Sequence, residues 1–279
     1  MDRKAIARET LDILDRGGYE GPEGWVDIRE AQERAAAGSR FIPEEEVPAL
    51  PDCPRGETRV RLAGCSTVRA LLDLAAEGRT GVAVLNFASA KNPGGGFLNG
   101  AMAQEESLAA SGGLYRTLTR HEEYYRRNRA CGHMRYTGCA IWSPEVPFFR
   151  DEEFRLLPKP VTASVLTLPA VNLGQVIQKG EDVALAKKAM GERMERALAL
   201  FAALGARELV LGAYGCGVFR NDPGEVARRW EELLELLAFA GRFAGVTHAV
   251  LDRSKSRACW RAFEAACGKG GEGCGQKQG

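Results

Sequence analysis

Two short apolar runs, Val82-Ala83-Val84-Leu85-Asn86-Phe87 and Leu209-Val210-Leu211, each lead into a glycine-rich loop, and each loop leads into a helical pattern. Runs this short and this apolar predict strands covered on both faces, as in the parallel sheets of α/β domains. In such sheets ligands bind in the crevice beyond the carboxyl ends of the strands. The two loops therefore bear on the fold class and on the place to look for function.

The rest of the chain keeps the alternation. Strands are expected at Val60 to Leu62, Ala140 to Trp142, Val161 to Leu168 and Val246 to Leu251. Helices are expected at Val68 to Ala76, Glu105 to Thr117, Ala184 to Leu204, Glu225 to Phe239 and Arg257 to Ala265. Together they predict a three-layer α/β domain with a largely parallel sheet. Ahead of it, Arg3 to Arg16 and Ile28 to Ala37 read as amphipathic helices, punctuated by Gly17-Gly18, Gly21-Pro22 and the Pro48 to Pro54 segment. That punctuation predicts an N-terminal helical extension, 1–57, packed on a main domain, 58–267. The tail 268–279, rich in Gly, Lys and Gln, is expected to be disordered.

Balanced charge, 38 basic against 37 acidic residues, leaves no global positive field, so no direct nucleic-acid binding and no membrane attraction is expected. No apolar run approaches the roughly 20 residues of a membrane span, and the chain start lacks the apolar core of a signal peptide. The expectation is a soluble, cytoplasmic protein. Its eight cysteines show no Cys-x-x-Cys pair and read as reduced thiols. Cys131, His133 and Cys139 offer three metal ligands without a fourth or a common zinc spacing, so neither metal nor cofactor is expected. His121, His133 and His248 read as structural or surface groups, and Tyr115, Tyr124 and Tyr125 as packing.

In the first loop, Gly94-Gly95-Gly96 lets main-chain N–H groups approach a ligand closely. In the second, glycines at 212, 215 and 217 can form a nest of amides, and the helix behind them, with Asp222 as N-cap before Pro223, adds a positive dipole end. A phosphate or diphosphate is the natural occupant. Either loop alone could be a tight connection and nothing more; their shared strand-to-helix setting favours binding. Neither a Gly-Lys-Ser/Thr ending nor a Gly-x-Gly-x-x-Gly spacing after the first strand is present, which argues against a P-loop nucleotidase or a dinucleotide binder. Cys216, between glycines, reads as a small side chain rather than a nucleophile.

Gln104-Glu105-Glu106 falls at the start of the helix after the triple glycine. The helix dipole there lowers a carboxyl pKa, so a working acid needs burial or a like-charged neighbour to raise it again. Most glycosidases set two carboxyl groups roughly 5 to 9.5 Å apart on opposite sides of the bond they cleave. Chain neighbours, with Cα atoms about 3.8 Å apart on one segment, do not flank a sugar in that way. One glutamate is expected to be the catalyst and the other a positioner, although a bare helix start would also carry Gln-Glu-Glu as surface charge.

Gly94-Gly95-Gly96, a seven-residue spacer and Gln104-Glu105-Glu106, with Gly215-Cys216-Gly217-Val218-Phe219, resemble the signature of the bacterial-type poly(ADP-ribose) glycohydrolases. The similarity extends through Arg8-Glu9-Thr10-Leu11, Asn86-Phe87-Ala88-Ser89-Ala90, Ser107-Leu108-Ala109 and Ala170-Val171-Asn172. This resemblance implies a three-layer α/β/α macrodomain with a mixed central sheet and an N-terminal extension, and cleavage of the ribose–ribose bonds of poly(ADP-ribose) to ADP-ribose. It implies Glu106 as the catalytic acid and base, Glu105 as the group holding the ribose hydroxyls, and Gln104 as a residue shaping the site. Gly215, Cys216, Gly217, Val218 and Phe219 would hold the diphosphate, with Phe219 against a ribose. Gly94, Gly95 and Gly96 would form the opposite wall, and Asn92 would bond the terminal ribose. Poly(ADP-ribose), ADP-ribose and modified proteins would be its partners. An ADP-ribose reader or a mono-ADP-ribosyl hydrolase are the alternatives; extra carboxylates argue against the reader, because binding a diphosphate gains nothing from added negative charge.

Overall fold

The computed structural model describes residues 2–52, 56–236 and 238–267; the tail expected to be disordered lies outside them. The extension begins with α1 (Arg3–Arg16), capped by the Asp2 carboxylate and ended by Gly17 at φ +75°. A hairpin of β1 (Gly18–Gly21) and β2 (Gly24–Asp27) follows, then α2 (Arg29–Gly38) and β3 (Arg40–Ile42). The residues before Thr58 are therefore not helical alone. What reads in the sequence as glycine punctuation is a two-stranded hairpin, and β3 joins the main sheet by pairing antiparallel to β6 (Ala140–Arg150).

The remaining elements are β4 (Arg59–Ala63), α3 (Thr67–Ala76), β5 (Val82–Phe87), α4 (Gln104–Ser111), α5 (Leu114–Leu118), α6 (Glu122–Ala130), β7 (Leu156–Leu168), α7 (Leu173–Gln178), α8 (Val183–Ala203), β8 (Glu208–Leu211), α9 (Pro223–Glu235), β9 (Gly245–Ala249) and α10 (Ala258–Cys267). The seven-stranded sheet runs β3-β6-β7-β5-β8-β9-β4. Strands β7, β5, β8, β9 and β4 are parallel, while β6 and β3 are antiparallel at one edge. The sheet is mixed, as the family resemblance implies.

Both faces of the sheet are covered. On β5, Val82 and Val84 face a cluster with residues of α2 to α6, including Ala35, Leu71, Leu108, Leu114 and Tyr125. Ala83 and Leu85 face the other cluster, built on α8, α9 and α10 through residues such as Met194, Phe201, Trp230 and Phe263. Alternate side chains of one strand are thus buried on opposite sides, which is why its sequence is continuously apolar.

Several elements differ from expectation for identifiable reasons. The helix expected over Glu105 to Thr117 breaks at Gly112-Gly113, where the chain passes so close to β6 that a Cβ on Gly112 would lie 2.5 Å from the Pro147 carbonyl. Strands β6 and β7 are longer than expected, because prolines at 144, 147, 158 and 160 obscure them in sequence. The sheet accommodates Pro144 with a register shift between Ser143 and Val146, while Pro147 stays in register opposite Thr162. Helix α9 stops at Glu235 rather than running to Phe239. Among the described residues no helix is long and apolar enough to cross a membrane.

Candidate active site

Strands β5 and β8 are neighbours, paired in register from Val82 with Glu208 to Val84 with Val210. Their carboxyl ends, and with them the two glycine-rich loops, therefore open on the same side of the sheet. Parallel pairing is what brings together segments that are far apart in the chain.

Helix α4 is fastened to the end of β5 by its first side chain. Gln104 Oε1 accepts the Phe87 N–H at 2.8 Å, and its Nε2 donates to the Leu85 carbonyl at 2.8 Å. A second bond from Nε2 reaches Thr67 Oγ1 at 3.3 Å. With Gln104 satisfying the end of the strand, the next two residues project into the crevice from a fixed origin.

The two glutamates then part ways. Glu105 is 3 % exposed; its Oε2 accepts the Ser89 N–H at 2.6 Å and its Oε1 accepts Asn86 Nδ2 at 3.2 Å. Burial pushes its pKa up to about 8, against the pull of the Ser89 and Asn86 donors, and the neighbouring Glu106 charge adds to the rise. Glu106 is half-buried at the mouth: Oε1 accepts the Gly96 N–H at 2.8 Å and Oε2 the Ala103 N–H at 3.1 Å. Glu105 is the more deeply buried of the two.

The triple glycine packs on these carboxylates. Gly94 and Gly95 have φ of +65° and +60°, and a Cβ on Gly95 would collide with Glu106 Oε1 and lie 3.1 Å from Glu105 Oε2. Asn92 stands exposed at the start of the loop, its N–H donating to Ser89 Oγ at 3.2 Å. Behind the loop, Phe97 packs on Tyr115 and joins Ile6 and Ala7 of α1 with Ala109 and Ala110 of α4. The extension thereby backs the wall of the site.

In the second loop, the N–H groups of Tyr214, Cys216, Arg220 and Asn221 bond carbonyls of the loop itself. Those of Gly215, Gly217, Val218 and Phe219 find no acceptor among the described residues. Four main-chain donors in five residues, ahead of an N-terminus capped by Asp222, are the kind of group an anion cradle is built from. Its glycines have different tasks. Gly215 (φ +72°) is wedged between Asn221 and Ala170, and Gly212 lies against the Ala249 carbonyl. Nothing stands within 4 Å of the Cβ position of Gly217, which faces open space. The Cys216 thiol lies by Cys259, and that contact together with burial raises its pKa, the reverse of what a nucleophile needs. Phe219 packs on Tyr136 with ring centroids 6.1 Å apart.

The microbial-type PARG catalytic domain matches residues 7–151. The fold is also that of the X-ray structure of poly(ADP-ribose) glycohydrolase (PARG) from Thermomonospora curvata, at 39% identity and a TM-score of 0.90, covering 95% of this chain and 98% of that one. The chain belongs to the microbial-type poly(ADP-ribose) glycohydrolase family. The T. curvata enzyme bound to the inhibitor ADP-HPD is similar at 40% identity and a TM-score of 0.88, covering 94% of this chain and 98% of that one. The Deinococcus radiodurans PARG in complex with ADP-ribose matches at 39% identity and a TM-score of 0.79, over 85% of this chain and 97% of that one. No curated protein matches.

Within this member of the family, the structure brings Gln104, Glu105, Glu106 and Gly94 to Gly96 together and sets the 215–219 loop on the adjacent strand end. Three partners of the candidate site carry no role in the sequence reading. Asn86 holds Glu105, Ser89 supplies its shortest hydrogen bond, and Asn221 sews the second loop by donating to Val171 O at 2.9 Å and Gly215 O at 3.0 Å. A polar Asn86 inside an otherwise apolar strand was the available signal. Of the groups read as structural, Tyr124 and Tyr125 are buried edge to face with centroids 4.7 Å apart, and His248 is buried against Phe263.

Proposed function

We propose that the chain hydrolyses the ribose–ribose O-glycosidic bonds of poly(ADP-ribose), releasing ADP-ribose, with Glu106 as general acid and then general base. The observation that carries this is the meeting, at two adjacent strand ends, of four free main-chain donors with a pair of unlike carboxyl groups. As a member of its family the chain is a glycosidase. The donors of Gly215, Gly217, Val218 and Phe219 hold the diphosphate, with Cys216 a small spacer between them and Phe219 against a ribose. The wall of Gly94 to Gly96 presses the terminal ribose toward the carboxyl groups, and Asn92 at its rim bonds that sugar.

Glu105, with its pKa raised to about 8, is largely neutral at pH 7. It holds the ribose hydroxyls without adding charge beside the diphosphate. Glu106, half-buried at the mouth, gives a proton to the leaving ribose oxygen as the glycosidic C–O bond breaks and the anomeric carbon gains oxocarbenium character. The diphosphate, held nearby, stabilises that cation electrostatically. Glu106, now a carboxylate, takes a proton from the attacking water, whose oxygen bonds the anomeric carbon. The chain works in the cytoplasm on poly-ADP-ribosylated proteins; the free thiols of Cys65, Cys131, Cys139, Cys216, Cys259 and Cys267 suit a reducing compartment.

The test is release of ADP-ribose from poly(ADP-ribose) by wild type and Glu106→Gln. Loss of roughly a hundred-fold or more in kcat is expected for the variant. Near-wild-type release by it would sink the assignment.

A further inference from the structure

Arg193 carries a charge that the site as described leaves unexplained. It occupies the inward stripe of α8 with Ala186, Met190, Met194 and Ala197, and it is 5% exposed. Its guanidinium donates to the Pro169 carbonyl, and to those of Arg135 and Tyr136 at 3.2 and 3.4 Å. All three acceptors are neutral, and no carboxylate of the described residues pairs with it. Arg150, buried to a similar depth, has Glu9 at 2.9 Å. Burying a cation without a counter-charge is costly, and partnered carbonyls offset only part of that cost.

The surroundings of Arg193 show where the missing anion belongs. Pro169 leads into Ala170, which packs so closely under the second loop that a Cβ on Gly215 would lie 2.7 Å from the Ala170 Cβ. Tyr214, the residue before Gly215, is buried with its hydroxyl beside Arg193 and donates to the Leu168 carbonyl at 2.9 Å. The guanidinium is thus set against the segment that packs under the loop whose N–H groups find no acceptor among the described residues. In a poorly screened interior, a charge acts across such a layer without contact.

We propose that Arg193 is a positioning residue that supplies the fixed positive charge for the diphosphate of the substrate, acting through the floor of the 215–219 loop rather than touching the ligand. This rests on the reading of that loop as the diphosphate cradle. It separates two jobs: backbone donors give the anion its geometry, and Arg193 gives it a counter-charge.

Calorimetric titration of ADP-ribose and of adenosine into wild type, Arg193→Met and Arg193→Lys tests it. The Met variant is expected to lose about ten-fold in affinity for ADP-ribose and to stay within roughly two-fold for adenosine, while the Lys variant recovers ADP-ribose affinity to within about three-fold of wild type. Equal losses for both ligands in the Met variant would show a structural role only and overturn the proposal, as would wild-type ADP-ribose affinity. Should the Met variant not fold, the guanidinium ¹⁵N resonance of Arg193 in the wild-type protein replaces it. That resonance is expected to move with ADP-ribose and not with adenosine, and one unmoved by ADP-ribose overturns the proposal. A wild type that does not bind ADP-ribose at all overturns the cradle itself, which is a different failure from a wild type that binds while the Met variant matches it.

Discussion

Gly95 leaves the space that Glu106 fills: with φ at +60°, residue 95 could carry a Cβ only by driving it into Glu106 Oε1. The middle glycine is thus required by the carboxylates it packs on, before any ligand is considered, while Gly94 and Gly96 are held to glycine by Tyr115 and Ala101.

Gly95→Ala should therefore damage chemistry more than fold. The obstructing atom is the end of a side chain that can swing away, so the stability cost is mainly the left-handed backbone, about 1–2 kcal/mol. Swinging away takes Glu106 off its hydrogen bonds, and kcat should fall roughly a hundred-fold. Thermal melts and steady-state kinetics on the same preparation decide it; a variant that melts lower yet keeps full kcat would refute this placement of Glu106.

Glu105 makes stability depend on pH with a definite sign. Its folded pKa, about 8, lies above the ordinary glutamate value of 4.5. The folded state therefore holds a proton that the unfolded chain releases. The contribution is fully present below pH 4.5 and is lost progressively as pH rises toward about 8. Glu105→Gln, neutral at every pH, should melt above wild type at pH 8 to 9 while losing activity. Melting curves of both proteins from pH 5 to 9 check this, and parallel curves would refute the raised pKa.

The two loop glycines should respond oppositely. Gly215→Ala forces a Cβ to 2.6 Å from Asn221 Nδ2 at a left-handed φ, so its melting temperature should fall by several degrees. Gly217→Ala meets nothing within 4 Å and should leave melting nearly unchanged. Its methyl enters the space assigned to the diphosphate, so KM should rise roughly ten-fold. An unchanged KM would place the ligand elsewhere.

Ile6→Ala tests the link from the extension to the site. Ile6 is buried with Phe97 and Ala109, so its truncation should cost about 2–4 kcal/mol and also lower kcat by loosening the loop behind Gly96. Destabilisation with unaltered kcat at a temperature where the variant is fully folded would show that α1 only adds stability.

The strands of the sheet core were legible in the sequence because β5 and β8 are buried on both faces and so are continuously apolar. The candidate site was legible too, because its glycines and glutamates are contiguous. What escaped depends on the third dimension. Nothing local in Arg40-Phe41-Ile42 shows that it pairs with β6, and Pro144 and Pro147 hide a strand whose register shifts around the first of them. The unlike surroundings of Glu105 and Glu106 come from Asn86 and Ser89 on another element. Arg193 did leave a trace, a cation at an apolar position of the α8 stripe, but only the fold shows which loop lies above it.

The sheet order also bears on how the chain is made. Strand β4 finds its only described partner in β9, and Thr58, just ahead of β4, donates to the carbonyl of Phe243, 185 residues away. At roughly 5–20 residues per second, a nascent chain exposes β4 for about 10–40 s before that partner emerges from the ribosome. The exposed edge is guarded by its own composition: Arg59 and Arg61 flank Val60, and charged side chains discourage edge-to-edge association. The two arginines later settle against Glu208 and Glu77, so residues that hold the finished sheet also protect it during synthesis.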